Sequence, residues 1–207
     1  MQLTLLVATG LAAFANWWSR LRDSVRLEQW AKPLTTMLVI LLAVSSESST
    51  GQVATAIIAL VLCLEGDIAL LPAVDKFVLG LASFLLGHLV FIALFVQYGM
   101  PELVLGGVAM VLVAVLGGTV GARVVQGAAR KDPALRIPVA AYLLVISAMA
   151  VCGWATGNGW VIAGTTLFLI SDALLGWRQF VRPQPWMSLA VMVTYHGAIV
   201  SLALSLW

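Results

Sequence analysis

Two aspartates, Asp67 and Asp172, stand out because each lies within a long apolar stretch. Asp67 sits in Leu64-Glu65-Gly66-Asp67-Ile68-Ala69-Leu70, and Asp172 in Leu169-Ile170-Ser171-Asp172-Ala173-Leu174-Leu175. An ionisable side chain at the centre of a membrane helix costs about 2.5–3.5 kcal/mol on insertion scales, so it normally faces the bundle interior and serves function. The other polar groups of interest are Lys32, His88, Tyr142, Ser171, Tyr195 and His196. Two carboxylates in one pocket support acid–base chemistry when their surroundings keep one protonated and the other ionised. Asp67 and Asp172 are therefore the candidate catalytic pair, and the other six are candidate supporting or substrate-binding residues.

Each candidate also has a plainer reading. Asp67 and Asp172 also read as helix-end carboxylates reaching solvent, His88 and His196 as helix–helix hydrogen-bonding groups, and Lys32 as an anchor at the membrane face. Ser171 has the option of bonding its own helix backbone. Glu65, two residues from Asp67, lies on a different helix face and reads as a headgroup contact.

The elements that must position these groups are membrane helices. Of 207 residues, 62% are hydrophobic and 10% charged, against roughly 25% charged in soluble domains. The mean hydropathy is +1.05, and a water-soluble fold of this length has too little interior to hide so much apolar surface. A crossing needs about 20 apolar residues. The expected spans are 2–18, 33–46, 51–71, 76–97, 102–121, 137–156, 158–178 and 187–206. Met1–Ala15 reads as part of the first span and not as a leader, because basic residues follow the apolar run instead of preceding it. Cys63 and Cys152 lie in apolar runs and read as small hydrophobes.

With eight spans, the 11 basic residues fall on one side. Arg20, Arg22, Arg26 and Lys32 lie between spans one and two, and Lys76 between three and four. Arg123, Arg130, Lys131 and Arg136 lie between five and six, and Arg178 and Arg182 between seven and eight. The intervening loops on the other side carry Glu47 and Glu102 but no Lys or Arg. The positive-inside rule then makes both termini non-cytoplasmic. Trp17, Trp18, Trp160, Trp177, Trp186 and Trp207 fall near span ends as an interfacial belt, with no role in the site. Gly80, Gly87, Gly106, Gly107, Gly117, Gly118 and Gly121 are expected to let helices approach closely.

The halves echo each other. Asp67 follows Pro33, and Asp172 follows Pro138, by the same 34 residues. Each acid is followed by a helix with one histidine, His88 or His196. Four spans per half preserve orientation, so the expected fold is an all-α membrane bundle with a parallel 4+4 internal repeat. It forms one domain over 1–207, with half-repeats of about 1–97 and 102–207. Asp67 and Asp172 would then lie about 6–9 Å below one membrane face.

The chain has no HExxH, paired CxxC, GxSxG or phosphate-binding loop, and its basic loops are explained by topology, so nucleic-acid binding is not expected. A small-solute or proton-coupled transporter is the competing reading. It shares the buried acids and the repeat, but predicts a polar path to both faces. A non-catalytic lipid-binding scaffold is a third.

Lys32-Pro33-Leu34-Thr35-Thr36, Gly66-Asp67, Phe77-x-x-Gly80-x-x-x-Phe84-x-x-x-His88, Phe168-x-x-Ser171-Asp172 and Thr194-Tyr195 occur in this order. The sequence resembles the YhhN-like lysoplasmalogenase family of eight-helix membrane proteins, over roughly residues 30–205. The matching positions are Lys32, Gly66, Asp67, Phe84, His88, Ser171, Asp172 and Tyr195. The resemblance implies a hydrolase that cleaves the vinyl ether of lysoplasmalogens to a fatty aldehyde and glycerophosphoethanolamine or glycerophosphocholine. It also implies a lysophospholipid substrate among membrane lipids; a homodimer stays open. No cofactor or metal is required. One acid would protonate the alkenyl carbon while the other stabilises the cation and orients water, as paired carboxylates do in glycosidases. Asp172, the deeper, is favoured as the acid. Lys32, Arg136 or another cytoplasmic cation would hold the phosphate. One departure is Ile199, where the family pattern leads us to expect a glutamine shortly after the tyrosine of the last helix. His196 is the residue placed to compensate. The compact chain points to a bacterial inner membrane.

Overall fold

The computed structural model describes residues 2–207; Met1, where the first half-repeat was expected to begin, lies outside the described residues. Eight long helices run in chain order, with no strand among the described residues. They are α1 (Gln2–Leu21), α2 (Val25–Val44), α3 (Thr50–Ala69), α4 (Phe77–Tyr98), α5 (Leu103–Lys131), α6 (Arg136–Ala155), α7 (Gly159–Phe180) and α8 (Met187–Leu204). A π-helical turn, Gly117–Gly121, interrupts α5, and a short 3₁₀ turn, Pro133–Leu135, precedes α6. Seven helices, α2 to α8, are long and apolar enough to cross a bilayer. The 20-residue α1 falls outside that set. Gln2, Asn16 and Ser19 dilute it, and its buried face carries Thr9, Asn16 and Ser19.

The outer surface is apolar. Leu103, Val104, Ile137 and Leu144 are each more than 70% exposed. In water that exposure would be a liability; around a helix bundle it is the lipid-facing coat. The chain is an integral, multi-pass membrane protein.

Two expected boundaries move. The span read as 33–46 is a full helix beginning at Val25, so Lys32 and Pro33 lie inside it. Proline at this position takes the backbone donor away from the Gln29 carbonyl but does not end the helix. The span read as 102–121 continues to Lys131, so Arg123, Arg130 and Lys131 are helical and not in a loop. Elsewhere the ends follow turn chemistry. Gly99 closes α4 at φ 80°, where a side chain would be strained. The Asn158 side chain caps α7 by accepting from the Trp160 and Val161 amides.

Extensive contacts join α3 to α4 and α7 to α8, followed by α1 to α2 and α5 to α6. Contacts between the halves run from α4 to α6 and from α2 to α8. The halves pack their first helices differently: α1 lies against α8, whereas α5 lies against α7. Among the glycines, Gly80, Gly87 and Gly106 do sit against neighbouring helices. Gly107, Gly117 and Gly118 do not: a Cβ on any of them would meet nothing within 4 Å.

Candidate active site

Asp67 of α3 is fully buried, and the groups that hold it come from two other helices, α2 and α8. Its Oδ2 accepts hydrogen bonds from Thr36 Oγ1 of α2, at 2.6 Å, and from Tyr195 Oη of α8, at 2.8 Å. Lys32, one helical turn before Thr36, places Nζ 3.3 Å from Asp67 Oδ1. That separation makes an ion pair without hydrogen-bond geometry. The ammonium donates instead to the Asp67 backbone carbonyl, also at 3.3 Å. The reading of Lys32 as a surface anchor is thereby corrected: it is 4% exposed, and its charge is satisfied inside the bundle.

Asp172 on α7 is held differently. Its Oδ2 accepts from Tyr142 Oη of α6 at 2.7 Å, and His88 Nε2 of α4 lies 3.2 Å away. His88 Nε2 is also 3.0 Å from Tyr142 Oη, so the three side chains close a triangle. Asp172 keeps 8% exposure.

Phe84 stands between the two clusters. Its ring packs edge-on against Tyr195 at 5.7 Å and against Phe168 at 6.3 Å, and Phe168 in turn lies 4.6 Å from the His88 ring. Gly66 makes room for it: a Cβ there would fall 2.6 Å from two Phe84 ring atoms.

Both carboxylates line one cavity of about 130 Å³, together with Ser171 and Tyr195. Arg20, Glu28 and Arg178 complete its charged lining. Arg20 and Glu28 form an ion pair. Arg178 is partly buried and has no carboxylate within 4 Å among the described residues. Three cations thus meet three acids at the cavity, with Arg178 uncommitted. Such an end suits an anion, and a guanidinium suits a phosphate.

Not every candidate arrives at the acids. Ser171 lines the cavity, but its hydroxyl donates to the Val191 carbonyl of α8 and not to its own helix. His196 is 2% exposed and touches neither carboxylate in hydrogen-bond range; its Nδ1 accepts from Trp17 Nε1 at 3.1 Å. This corrects the reading of Trp17 as a mere member of the interfacial belt. Ile199 is fully buried in the apolar core, so that position supplies no polar group. Arg136 lines a separate groove between α5 and α6, away from the acid cavity. Glu65 is exposed, in keeping with its place on another helix face.

Thr36, Arg20, Glu28 and Arg178 were missed in the sequence. Thr36 had a signal, since residues four apart share a helix face and Lys32 was already a candidate. The others lay among residues that topology alone explained.

Several known proteins resemble this chain. A family model for the YhhN family matches residues 27–206. A human protein, lysoplasmalogenase TMEM86B, is 36% identical over 150 residues, covering 71% of this chain and 61% of its own length. The pig lysoplasmalogenase TMEM86B is 32% identical over 177 residues, covering 84% of this chain and 71% of its own. The chain therefore spans about three fifths of the human relative and somewhat more of the porcine one. No solved structure matches. The family match takes in every residue of the two carboxylate clusters, and the chain belongs to the YhhN family.

Proposed function

We propose that this protein is a membrane hydrolase that cleaves the alkenyl ether of lysoplasmalogens by two-carboxylate catalysis. One observation carries the reading: two buried aspartates from α3 and α7 line a single cavity, each in a different electrostatic setting. Asp67 is ion-paired with Lys32 and accepts two further hydrogen bonds, contacts that favour its carboxylate form. Asp172 has no Lys or Arg within 4 Å among the described residues and meets only Tyr142 and His88 at Oδ2, a setting that suits the proton donor.

The reaction then balances simply. Asp172 donates its proton to the β-carbon of the vinyl ether, and an oxocarbenium cation forms. The Asp67 carboxylate stabilises that cation. Water adds to the α-carbon and returns a proton to Asp172. The hemiacetal collapses to a fatty aldehyde and the glycerophospho-alcohol. Tyr142 and His88 hold Asp172 in position, as Thr36 and Tyr195 hold Asp67. The phosphate of the lysophospholipid sits at the Arg20–Arg178 end of the cavity. The activity named for the human and porcine relatives supports this reading.

The same proposal includes eight crossings, with α1 as the least apolar. Basic residues occupy the last turns of α1, α5 and α7, the end of α3 has its one basic residue, Lys76, in the loop that follows, and none occurs in the last turns of α2, α4, α6 and α8. That alternation supports non-cytoplasmic termini. A parallel 4+4 repeat finds support in the packing, because a shift of four helices carries α1–α2, α2–α3, α3–α4 and α4–α6 onto α5–α6, α6–α7, α7–α8 and α8–α2. The partners of the acids cross between halves in the same way: Asp67 meets Tyr195 of α8, and Asp172 meets His88 of α4. The bacterial inner membrane remains the proposed location. Beyond His88, the core is closed by fully buried Phe91, Leu94 and Phe95, an apolar plug that argues against a transport path.

The test is aldehyde release from a lysoplasmenyl lipid by purified protein in detergent. Asp172→Asn should lower kcat by about 10²–10⁴-fold, the range for general acid catalysis. Full activity in a folded Asp172→Asn variant ends the two-acid mechanism.

A further inference from the structure

The acid cavity, at about 130 Å³, is well below the roughly 300–1,000 Å³ that encloses a drug-sized ligand. A lysolipid is at least that large, so most of its chain must lie elsewhere. Asp172 also borders a narrow gap of about 50 Å³ among α5, α6 and α7. That gap shares Gly117, Gly121, Leu143 and Ser147 with a groove of about 790 Å³ between α5 and α6. The two hollows therefore lie on either side of those four residues, which are all that stands between Asp172 and the lipid-facing groove.

The groove has a particular construction. Its floor is the π-helical turn of α5, where Gly117 and Gly121 contribute no side chains. A Cβ at Gly117 meets nothing within 4 Å, and one at Gly121 meets its nearest neighbour at 3.6 Å. Gly117 faces open space, and a Cβ at buried Gly121 would only touch Leu143 of α6, so neither position is closed by helix packing and both leave room in the trough. π turns inside α-helices often mark functional positions. One end of the trough carries Arg130 and Arg136, both exposed and neither within 4 Å of a carboxylate among the described residues. A trough with apolar walls and two guanidinium groups at its rim complements a single acyl or alkenyl chain bearing a phosphate.

We propose that the α5–α6 groove is the docking site for a membrane lysophospholipid, with its phosphate on Arg130 and Arg136 and its chain along the glycine floor. From there the lipid passes sideways through the gap at Gly117 and Gly121 to reach Asp172. The substrate class rests on the function proposed above; the groove and its place beside Asp172 do not.

The experiment uses full-length protein in lipid nanodiscs and a lysoplasmenylcholine carrying a photoreactive diazirine at the chain terminus. Irradiation followed by peptide mapping should place the label on residues lining the groove. Gly117→Leu and Gly121→Leu should each reduce that label about tenfold or more, the scale on which one displaced methylene changes fit in an apolar site. Gly107→Leu, on the same helix with open space around it and outside the groove, is the control and should label as the natural chain does. Label confined to α1 or α2, or undiminished by leucine at both groove positions, overturns the proposal. Label in the groove without aldehyde release would refute the hydrolytic function and leave the docking site intact. Aldehyde release with label elsewhere would do the reverse.

Discussion

The Lys32–Asp67 pair is the most exposing place to perturb the site, because its consequences for folding and for chemistry separate. The two charges lie 3.3 Å apart with side chains 5% and 0% exposed. At an effective dielectric of about 20, the attraction at that distance is about 5 kcal/mol. Removing one partner of a buried pair costs about 3–5 kcal/mol, since the other charge is left without compensation. Asp67→Asn keeps an oxygen for Thr36 and Tyr195 but abandons the ammonium, so it should destabilise the protein by that amount. Lys32→Met in the same chain removes the abandoned charge and should restore most of the loss. The resulting coupling should reach about 2–3 kcal/mol, the upper part of the range for contacting residues. Unfolding by sodium dodecyl sulfate in mixed micelles measures all four corners of the cycle, and aldehyde release is followed on the same samples. The restored double variant should remain inactive, because it is folded but lacks the carboxylate. A coupling below about 0.5 kcal/mol would refute the ion pair, and turnover by the double variant would refute the role of Asp67.

Other perturbations test the surroundings of the acids. Tyr142→Phe removes the 2.7 Å hydrogen bond to Asp172 Oδ2; a hydrogen bond to an uncharged group contributes about 0.5–1.5 kcal/mol, so kcat should fall about two- to tenfold while substrate KM changes little. Gly66→Ala forces a methyl group to within 2.6 Å of the Phe84 ring and should cost about 1–3 kcal/mol in detergent unfolding. Trp17→Phe leaves the buried Nδ1 of His196 without its donor and should cost about 1–3 kcal/mol, with little effect on aldehyde chemistry. For topology, a cysteine appended after Trp207 should react with an impermeant reagent added outside intact cells; labelling only after permeabilisation would invert the proposed orientation.

Much of this architecture was legible in the residues, for a specific reason. A bilayer penalises polar atoms so heavily that apolar length, rare buried charges and basic loop residues each leave a trace in one dimension. Asp67 and Asp172 could be singled out because nothing inexpensive explains them in apolar surroundings. The start of α2 was misread because Pro33 and the basic residues before it look like a boundary, and only the packing of Glu28 and Lys32 against neighbouring helices shows that the helix has already begun. The rotation of each helix about its axis has no comparable signature. That rotation turns Trp17 inward to a histidine 179 positions away, gives Tyr195 to Asp67 and His88 to Asp172, and brings Arg178 to the cavity. The sequence by itself determined the solvent the chain lives in and the residues able to do acid–base work. Which donor meets which acid, and where a lipid reaches them, was decided by side-chain packing between helices far apart in the chain, a property of surfaces that become neighbours only once the bundle is assembled.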